Sequence, residues 1–171
     1  MHISLQDMKG LNTALYYNPE TGKLYWTGIN RHARRAVPGQ EAGHLNKSGY
    51  LEIRYLGKTI QAHRIAWYLH TGADPGTMFM DHINGNRADN CISNLRLATA
   101  AQNAQNSKKP VNAKTSKYKG VSWYPRHAKW QAQIRLNGKS TYLGYFYTEE
   151  EAFLAYCRAA EQHYGEFARY E

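Results

Sequence analysis

Apolar and polar positions alternate through much of the N-terminal third of the chain, and this pattern predicts short strands. After a short helical segment from Ile3 to Leu15, residues 16–26 alternate on both sides of a turn that contains Pro and Gly, which predicts a β-hairpin. Residues 50–62 alternate on both sides of Gly57 and predict a second hairpin. Apolar residues then recur at helical spacing between 62 and 72, which predicts a helix packed on the core.

The segment from residue 78 to residue 106 predicts four elements in a fixed order. A short apolar run is followed by a loop rich in Gly, Asn and Asp, a second apolar run and a helix-prone stretch, so the order is strand, loop, strand, helix. Thr99 suits the N-cap of that helix, and Asn103 then lies about one turn inside it. Because Asp81 ends the first strand, we expect the side chains of Asp81 and Asn103 to converge.

From Tyr118 onward the pattern predicts three short strands followed by one helix. Asn137-Gly138 is typical of the tight turn of a hairpin between the second and third strands. Thr148 and Glu151 form a capping box at the start of the helix, and Gly165 is expected to end it. The residues expected to face the core of this module are Val121, Ala132, Ile134, Leu143 and Phe146.

These patterns divide the chain into two modules of an α+β protein. Residues 1–106 form the N-terminal module, with its strand-loop-strand-helix motif at about 78–106, and residues 118–171 form the C-terminal module. The stretch between them, 107–117, has almost no apolar content and several lysines, so it is interpreted as a basic linker. Cations in this linker, Lys108 and Lys109 among them, are expected to lie along a polyanion.

The charge distribution points to a nucleic-acid partner. The chain has 171 residues, a formal net charge of +9 and a pI of about 9.5. No Asp or Glu occurs from Asn90 to Thr148, a stretch in which Lys and Arg are interspersed with Trp and Tyr. Cations neutralise phosphates and aromatic rings pack on sugars and bases, so this composition favours nucleic acid over an ordinary solvated surface.

Other classes fit the sequence less well. No apolar stretch approaches the ~20 residues of a membrane span, and the N-terminus lacks a secretory signal pattern, so we predict a cytoplasmic protein. Cys91 and Cys157 form no Cys-x-x-Cys pair and cannot build a structural zinc site of the usual kind. Nothing points to a small-molecule substrate, and protein partners stay unknown.

Asp81 and His82 are the candidate chemical centre. A carboxylate from Asp81 and an amide oxygen from Asn103 are hard donors that suit one Mg²⁺ or Mn²⁺ ion. His82 points to the opposite side of an extended strand, and an ordinary pKa near 6.5 allows it to accept a proton from water at neutral pH. An isolated Asp-His pair is more often structural than catalytic, so the prediction rests on the conjunction with the loop, Asn94 and Asn103.

Together these residues resemble the HNH family of endonucleases, in the phage and intron-encoded branch. The matching pattern covers residues 62–106 and includes Asp81-His82, the Gly-containing loop and Asn94. The resemblance implies a ββα-metal fold, His82 as general base, Asn94 as the residue that braces the loop and orients this histidine, and Asp81 with Asn103 as metal ligands. The family often has a third His where this chain has Asn103, which favours Mg²⁺ or Mn²⁺. Arg64 is the residue of the preceding helix expected to approach phosphate.

Residues 117–165 resemble the plant ethylene-response-factor (APETALA-type) DNA-binding domain, a three-stranded antiparallel sheet packed on one helix. The resemblance implies that the sheet enters the major groove of DNA. Ser122 and Tyr124 stand where plant members have arginines, so the plant sequence preference does not carry over. Trp130 keeps two interpretations, DNA contact and burial against the helix. The candidate contacts in and next to this domain are Lys119, Arg126, Lys129, Trp130, Gln133, Arg135 and Tyr142.

The sequence therefore predicts a metal-dependent DNA endonuclease of the phage or mobile-element homing type that binds double-stranded DNA. Its N-terminal module cuts, and its C-terminal sheet holds the duplex. A monomer with one such site is expected to nick a single strand. Two alternatives stay open: a catalytically silent DNA-binding regulator, and an RNA-directed nuclease, against which a sheet that enters the major groove argues mildly.

Overall fold

A computed structural model describes residues 5–28, 36–107 and 115–170, with side chains from Gly10 onward. The chain divides into two compact units, Met1–Ala98 and Thr99–Glu171, each with its own mixture of helix and sheet. An α+β fold is thus confirmed. The division precedes the predicted end of the N-terminal module at residue 106, and the module and linker boundaries stay predictions.

The first unit is built from hairpins around one helix. Leu15 pairs with Trp26 in the first hairpin and Ile53 with Ile60 in the second, so both predicted hairpins are present. A two-residue strand joins the second hairpin and was not predicted. The elements in chain order are α1 (Leu5–Ala14), β1 (Leu15–Asn18), β2 (Lys23–Trp26), β3 (His44–Leu45), β4 (Leu51–Tyr55), β5 (Lys58–Gln61), α2 (Ala62–Thr71), β6 (Phe79–His82) and β7 (Leu95–Ala98).

The core of the first unit sits between α1, α2 and the hairpins. Leu11, Leu24, Ile53 and Ile65 have less than 2% of their surface exposed. These large aliphatic side chains come from four different elements, so their burial fixes the elements against one another. The predicted packing of α2 on this core is confirmed.

The second unit contains the predicted sheet and helix. Its elements are α3 (Ala100–Gln105), β8 (Val121–Tyr124), β9 (Lys129–Leu136), β10 (Lys139–Phe146) and α4 (Glu149–Tyr164), and the three strands form an antiparallel sheet in the order β10-β9-β8. Asn137 at φ 50° and Gly138 at φ 79° form the tight turn between β9 and β10. Thr148 accepts a hydrogen bond from the Glu151 amide at 3.2 Å and begins α4, which Gly165 ends.

The core of the second unit lies between the sheet and α4. Val121, Ala132 and Ile134 are buried against Ala152 and Tyr156 of α4. Leu143 and Phe146 are partly buried at the same interface, as predicted. Among the described residues, no helix has the length and apolar content needed to span a membrane.

Candidate active site and nucleic-acid interface

Asp81 and His82 lie on β6, which pairs with β7 to form a two-stranded ribbon. The register places Asp81 opposite Arg96 and His82 opposite Leu95. Both Asp81 and His82 are buried, each with 4% of its surface exposed. Because successive side chains of a strand point to opposite faces, the carboxylate and the imidazole enter different surroundings.

The carboxylate of Asp81 forms a cross-strand salt bridge. The Arg96 Nε donates to the Asp81 Oδ2 at 2.8 Å, and the two side chains are 12% and 6% exposed. A buried carboxylate requires such a counter-charge, because its desolvation is otherwise costly. The sequence does not predict that Arg96 is the partner of Asp81, because the pairing depends on the register of β6 with β7.

The imidazole of His82 contacts a buried amide. Its Nε2 lies 3.1 Å from the Oδ1 of Asn90. Burial lowers the pKa of His82 below its ordinary value, and the hydrogen bond to Asn90 and the charge of Asp81 oppose this shift. His82 is therefore neutral at pH 7, the state in which an imidazole accepts a proton.

Two further rings surround His82. The ring of His63, on α2, lies edge-on to that of His82 with centroids 5.2 Å apart. The ring of Tyr50 lies near both imidazoles, with its centroid 5.5 Å from that of His63 and 6.0 Å from that of His82. Burial lowers the pKa of His63 to about 3, helped by the charges of His82 and Arg64. Sequence reasoning did not place His63 beside His82, since the contact depends on how α2 packs against β6.

Asn94 spans the loop between β6 and β7. Its Oδ1 accepts from the Asn84 amide at 2.9 Å, and its Nδ2 donates to the Asp89 carbonyl at 2.8 Å. Asn84 in turn donates to the Asp89 carboxylate at 2.7 Å. These bonds run across the loop, and the amide beside the His82 ring belongs to Asn90. The idea that Asn94 orients His82 stays a prediction.

Asn103 lies on α3, in the second unit. Thr99 caps this helix, and a reciprocal bond between Thr99 and Gln102 completes a capping box, so the predicted N-cap is confirmed. Asp81 belongs to the first unit. The pairing of Asp81 with Asn103 as metal ligands thus stays a prediction. In the described ranges, no cluster of three or more His, Cys, Asp or Glu side chains could hold a metal ion.

The face of the C-terminal sheet turned away from α4 carries polar and aromatic side chains. Gln133 and Arg135 are exposed on β9, whereas Ala132 and Ile134 between them are buried. Tyr142, with 53% of its surface exposed, pairs with Gln133 across the strands. Three predicted DNA contacts, Gln133, Arg135 and Tyr142, therefore share one exposed face. The sheet brings them together as strand alternation requires.

A group of stacked rings extends this face. Tyr124, His127 and Tyr145 lie with ring centroids 4.9 to 5.3 Å apart and nearly parallel planes. Tyr142 packs edge-on against Tyr145 at 5.1 Å. Sequence reasoning included only Tyr142 among the contacts. Tyr124 lies on β8 and Tyr145 on β10, the two strands that flank β9, and the register of both strands with β9 brings the two rings into contact. No local sequence signal predicts that register.

The other predicted contacts have different surroundings. Trp130 is half-buried and packs against the cluster of Val121, Ala132 and Ala152, which agrees with its predicted burial against the helix. Its contact with DNA stays a prediction. The Lys129 Nζ lies over the Tyr147 ring, 4.4 Å from the ring centroid. Arg126 is exposed in the 3₁₀ turn Pro125–His127.

Two predicted DNA contacts donate hydrogen bonds to backbone carbonyls. Lys119 donates to the carbonyls of Gln105 and Ser107, and burial lowers its pKa to about 8. The Arg64 guanidinium donates to the Gly76 carbonyl at 2.8 Å, and its Nη2 lies 3.5 Å from the Asp74 Oδ1 in a salt bridge. Their contact with DNA stays a prediction. Lys108 and Lys109 lie outside the described residues.

Comparison with known proteins matches both units. Residues 61–105 match the model of an HNH endonuclease family, and residues 116–166 match that of the AP2 domain. An uncharacterized HNH endonuclease of Acanthamoeba polyphaga mimivirus is 37% identical over 126 residues, which cover 73% of this chain and 64% of the relative. Protein 3.8 of Escherichia phage T7 is 34% identical over 82 residues, which cover 48% of this chain and 67% of that protein.

Two further matches concern parts of the chain. An AP2-like ethylene-responsive transcription factor of Arabidopsis thaliana is 38% identical over 65 residues, covering 38% of this chain and 13% of that protein. A solved structure described as DNA binding and cleavage by the HNH homing endonuclease I-HmuI matches with a TM-score of 0.43 and 28% identity, over 58% of this chain and 55% of that one. The chain therefore contains a segment that matches the HNH endonuclease family, residues 61–105, and a segment that matches the AP2 domain, residues 116–166.

Proposed function

We propose that this protein is a metal-dependent DNA endonuclease that nicks double-stranded DNA. The observation that carries the proposal is the buried pair on β6, within the HNH match: a carboxylate paired with Arg96 and, at the next residue, a neutral imidazole. The AP2 match and the basic, acid-free stretch of the second unit support DNA as the substrate.

His82 acts as the general base. Its lowered pKa keeps the ring neutral at pH 7, so it takes a proton from the water that attacks phosphorus. Asp81 and Asn103 would hold the divalent ion, and their oxygen atoms suit the hard cations Mg²⁺ and Mn²⁺. When bound, that ion stabilises charge on a phosphate oxygen and on the leaving 3′ oxygen. Cleavage then leaves 5′-phosphate and 3′-hydroxyl ends.

The AP2 domain holds the duplex. Gln133, Arg135 and Tyr142 on the exposed sheet face approach base edges, and Arg126 and Lys129 beside them neutralise phosphates. The AP2 match supports entry of the sheet into the major groove of B-form DNA, whose edges distinguish all four base pairs. Because a single active site cuts one strand, a monomer produces nicks.

The test compares wild type with His82→Ala on supercoiled plasmid in Mg²⁺. We expect the variant to lose about 10²- to 10⁴-fold in nicking rate, the usual contribution of a general base. His44→Ala, which changes an exposed histidine of the same unit, is the matched control and should cut like wild type. A nicking rate of His82→Ala equal to that of wild type would contradict the assignment of His82 as the general base. Tight, salt-sensitive binding by a wild type that never cuts would instead indicate a DNA-binding regulator.

The metal and substrate are tested in the same assay. Removal of divalent ions with a chelator should stop nicking, and addition of Mg²⁺ or Mn²⁺ should restore it. Parallel reactions on single-stranded DNA and on RNA duplex decide the substrate class. Faster cleavage of RNA than of duplex DNA would contradict the proposal.

A further inference from the structure

Asn90 is the most deeply buried polar residue next to the candidate base. It is 1% exposed, and its Oδ1 lies 3.1 Å from the Nε2 of His82. An amide oxygen only accepts hydrogen bonds, so the Nε2 of His82 donates in this contact. In a neutral imidazole, a proton on Nε2 leaves the lone pair on Nδ1.

The backbone of Asn90 is held by a distant part of the chain. The Tyr17 hydroxyl, on β1, donates to the Asn90 carbonyl at 2.7 Å. Gly22, in the turn between β1 and β2, approaches the same peptide so closely that an added Cβ would lie 2.6 Å from the Asn90 carbonyl carbon. The N-terminal hairpin therefore fixes where the Asn90 side chain begins.

The side chain is also oriented from within its loop. The Asn90 Nδ2 donates to the Ala88 carbonyl at 3.4 Å, a long bond that keeps the amide nitrogen away from the imidazole. Asn90 thus turns its oxygen to His82 and its nitrogen to the loop. A buried amide with partners for both its oxygen and its nitrogen holds one orientation, because the flipped amide would turn its oxygen to the Ala88 carbonyl, which can only accept.

We propose that Asn90 is a positioning residue that selects the Nε2-protonated tautomer of His82 and directs Nδ1 toward the attacking water. Its anchor is the β1–β2 hairpin, through Tyr17 and Gly22. The proposal rests on the assignment of His82 as the general base. A base that presents the wrong nitrogen loses most of its rate advantage even when its position is unchanged, because the tautomer decides which atom carries the lone pair.

The first experiment measures the tautomer directly. In protein labelled with ¹⁵N at histidine, the shifts of the His82 ring nitrogens at pH 7.5, a value at which a neutral ring is expected, should show a protonated Nε2. Asn90→Leu keeps a similar size and removes the acceptor, so the ring should change to a mixture of tautomers. Asn90→Asp keeps an oxygen toward the ring and should restore the wild-type pattern. Lys47→Ala, which changes an exposed residue of the same unit, is the control and should leave the spectrum unchanged.

The second experiment measures cleavage. Asn90→Leu should lower kcat about 100-fold while KM for plasmid changes little, and Asn90→Asp should recover most of the loss. If Asn90→Leu does not fold, Tyr17→Phe removes only the hydroxyl that anchors Asn90 and should give a smaller loss of the Nε2-protonated form. A wild-type ring protonated on Nδ1, or an unchanged tautomer in the folded Leu variant, would overturn the proposal. The tautomer result stands whether or not the wild type cuts DNA, so failure of the proposed function is recognised separately.

Discussion

Replacement of Gly22 by alanine should destabilise the protein more than the same change at another turn glycine. Gly22 has φ +70°, a conformation in which a Cβ is strained. An added Cβ would lie 2.4 Å from the Cys91 amide nitrogen and 2.6 Å from the Asn90 carbonyl carbon. Both atoms belong to backbone, so no side-chain rotation relieves the overlap, and the hairpin or the loop has to move.

Gly57 provides the matched comparison. It has φ +77° in the turn between β4 and β5, and an added Cβ meets nothing within 4 Å. Gly57→Ala therefore carries only the conformational strain, about 1–2 kcal/mol. Gly22→Ala carries a similar strain and adds an overpacking cost of about 1–3 kcal/mol, so its total loss of unfolding free energy is about 2–5 kcal/mol.

Urea unfolding of wild type and both variants measures the difference. We expect Gly22→Ala to lose at least about 1 kcal/mol more than Gly57→Ala, at an unchanged m-value. At a temperature where both variants are folded, Gly22→Ala should also nick plasmid more slowly, because the displaced peptide carries Asn90. Equal losses of stability for the two variants would refute the close approach of the hairpin to the loop.

Three further outcomes are expected. Because burial lowers the pKa of His63 to about 3, the unfolded chain takes up a proton below pH 6.5 that the folded chain does not, and stability falls by about 2 kcal/mol between pH 7 and pH 5. His63→Phe should remove this part of the acid sensitivity, and an unchanged pH slope in urea unfolding would contradict the reasoning. Thr148→Ala removes the capping box of α4 and should cost about 1 kcal/mol; an unchanged urea midpoint would argue against it. Arg135→Ala should weaken binding to a preferred duplex by about 1–3 kcal/mol in a titration, whereas an equal loss on every sequence would make Arg135 a phosphate contact.

Local signals predicted most of the elements. The turns at Gly57 and Asn137-Gly138 and the caps at Thr99 and Thr148 each depend on a few adjacent residues, and the structure has all of them. The strand His44–Leu45 escaped prediction because two residues carry no periodicity. Its pairing with β4 depends on the rest of the sheet.

Strand alternation predicts which face of β9 carries Trp130. Gln133 and Arg135 have the same parity along β9, whereas Trp130 has the parity of Ala132 and Ile134, which face α4. A side chain of that parity belongs to the buried face. Sequence analysis kept both interpretations of Trp130, because the residue type, an aromatic in a basic region, favours DNA contact whereas its position in the strand favours burial.

The partners of the candidate site depend on long-range contacts that no sequence pattern announces. Tyr17 and Asn90 are 73 positions apart in the chain, and their bond exists only because the first hairpin packs on the loop. The Asp81–Arg96 pair follows from the register of β6 with β7, which the length of the intervening loop does not fix. Sequence reasoning identified the residues that carry chemistry, and packing decided which neighbours hold them.

Adjacency of Asp81 and His82 on one strand gives the two groups opposite electrostatic surroundings. The pleat turns Asp81 toward Arg96, where a buried anion meets the counter-charge that it requires. It turns His82 toward the amide of Asn90 and the neutral ring of His63, where burial keeps the imidazole uncharged. A single strand therefore presents an anion and a neutral base within two consecutive residues. Exchange of the two residues would take the carboxylate away from Arg96 and place it beside the rings of His63 and Tyr50. It would also place the imidazole against the Arg96 guanidinium, so the order of the two residues on β6 is as important as their identity.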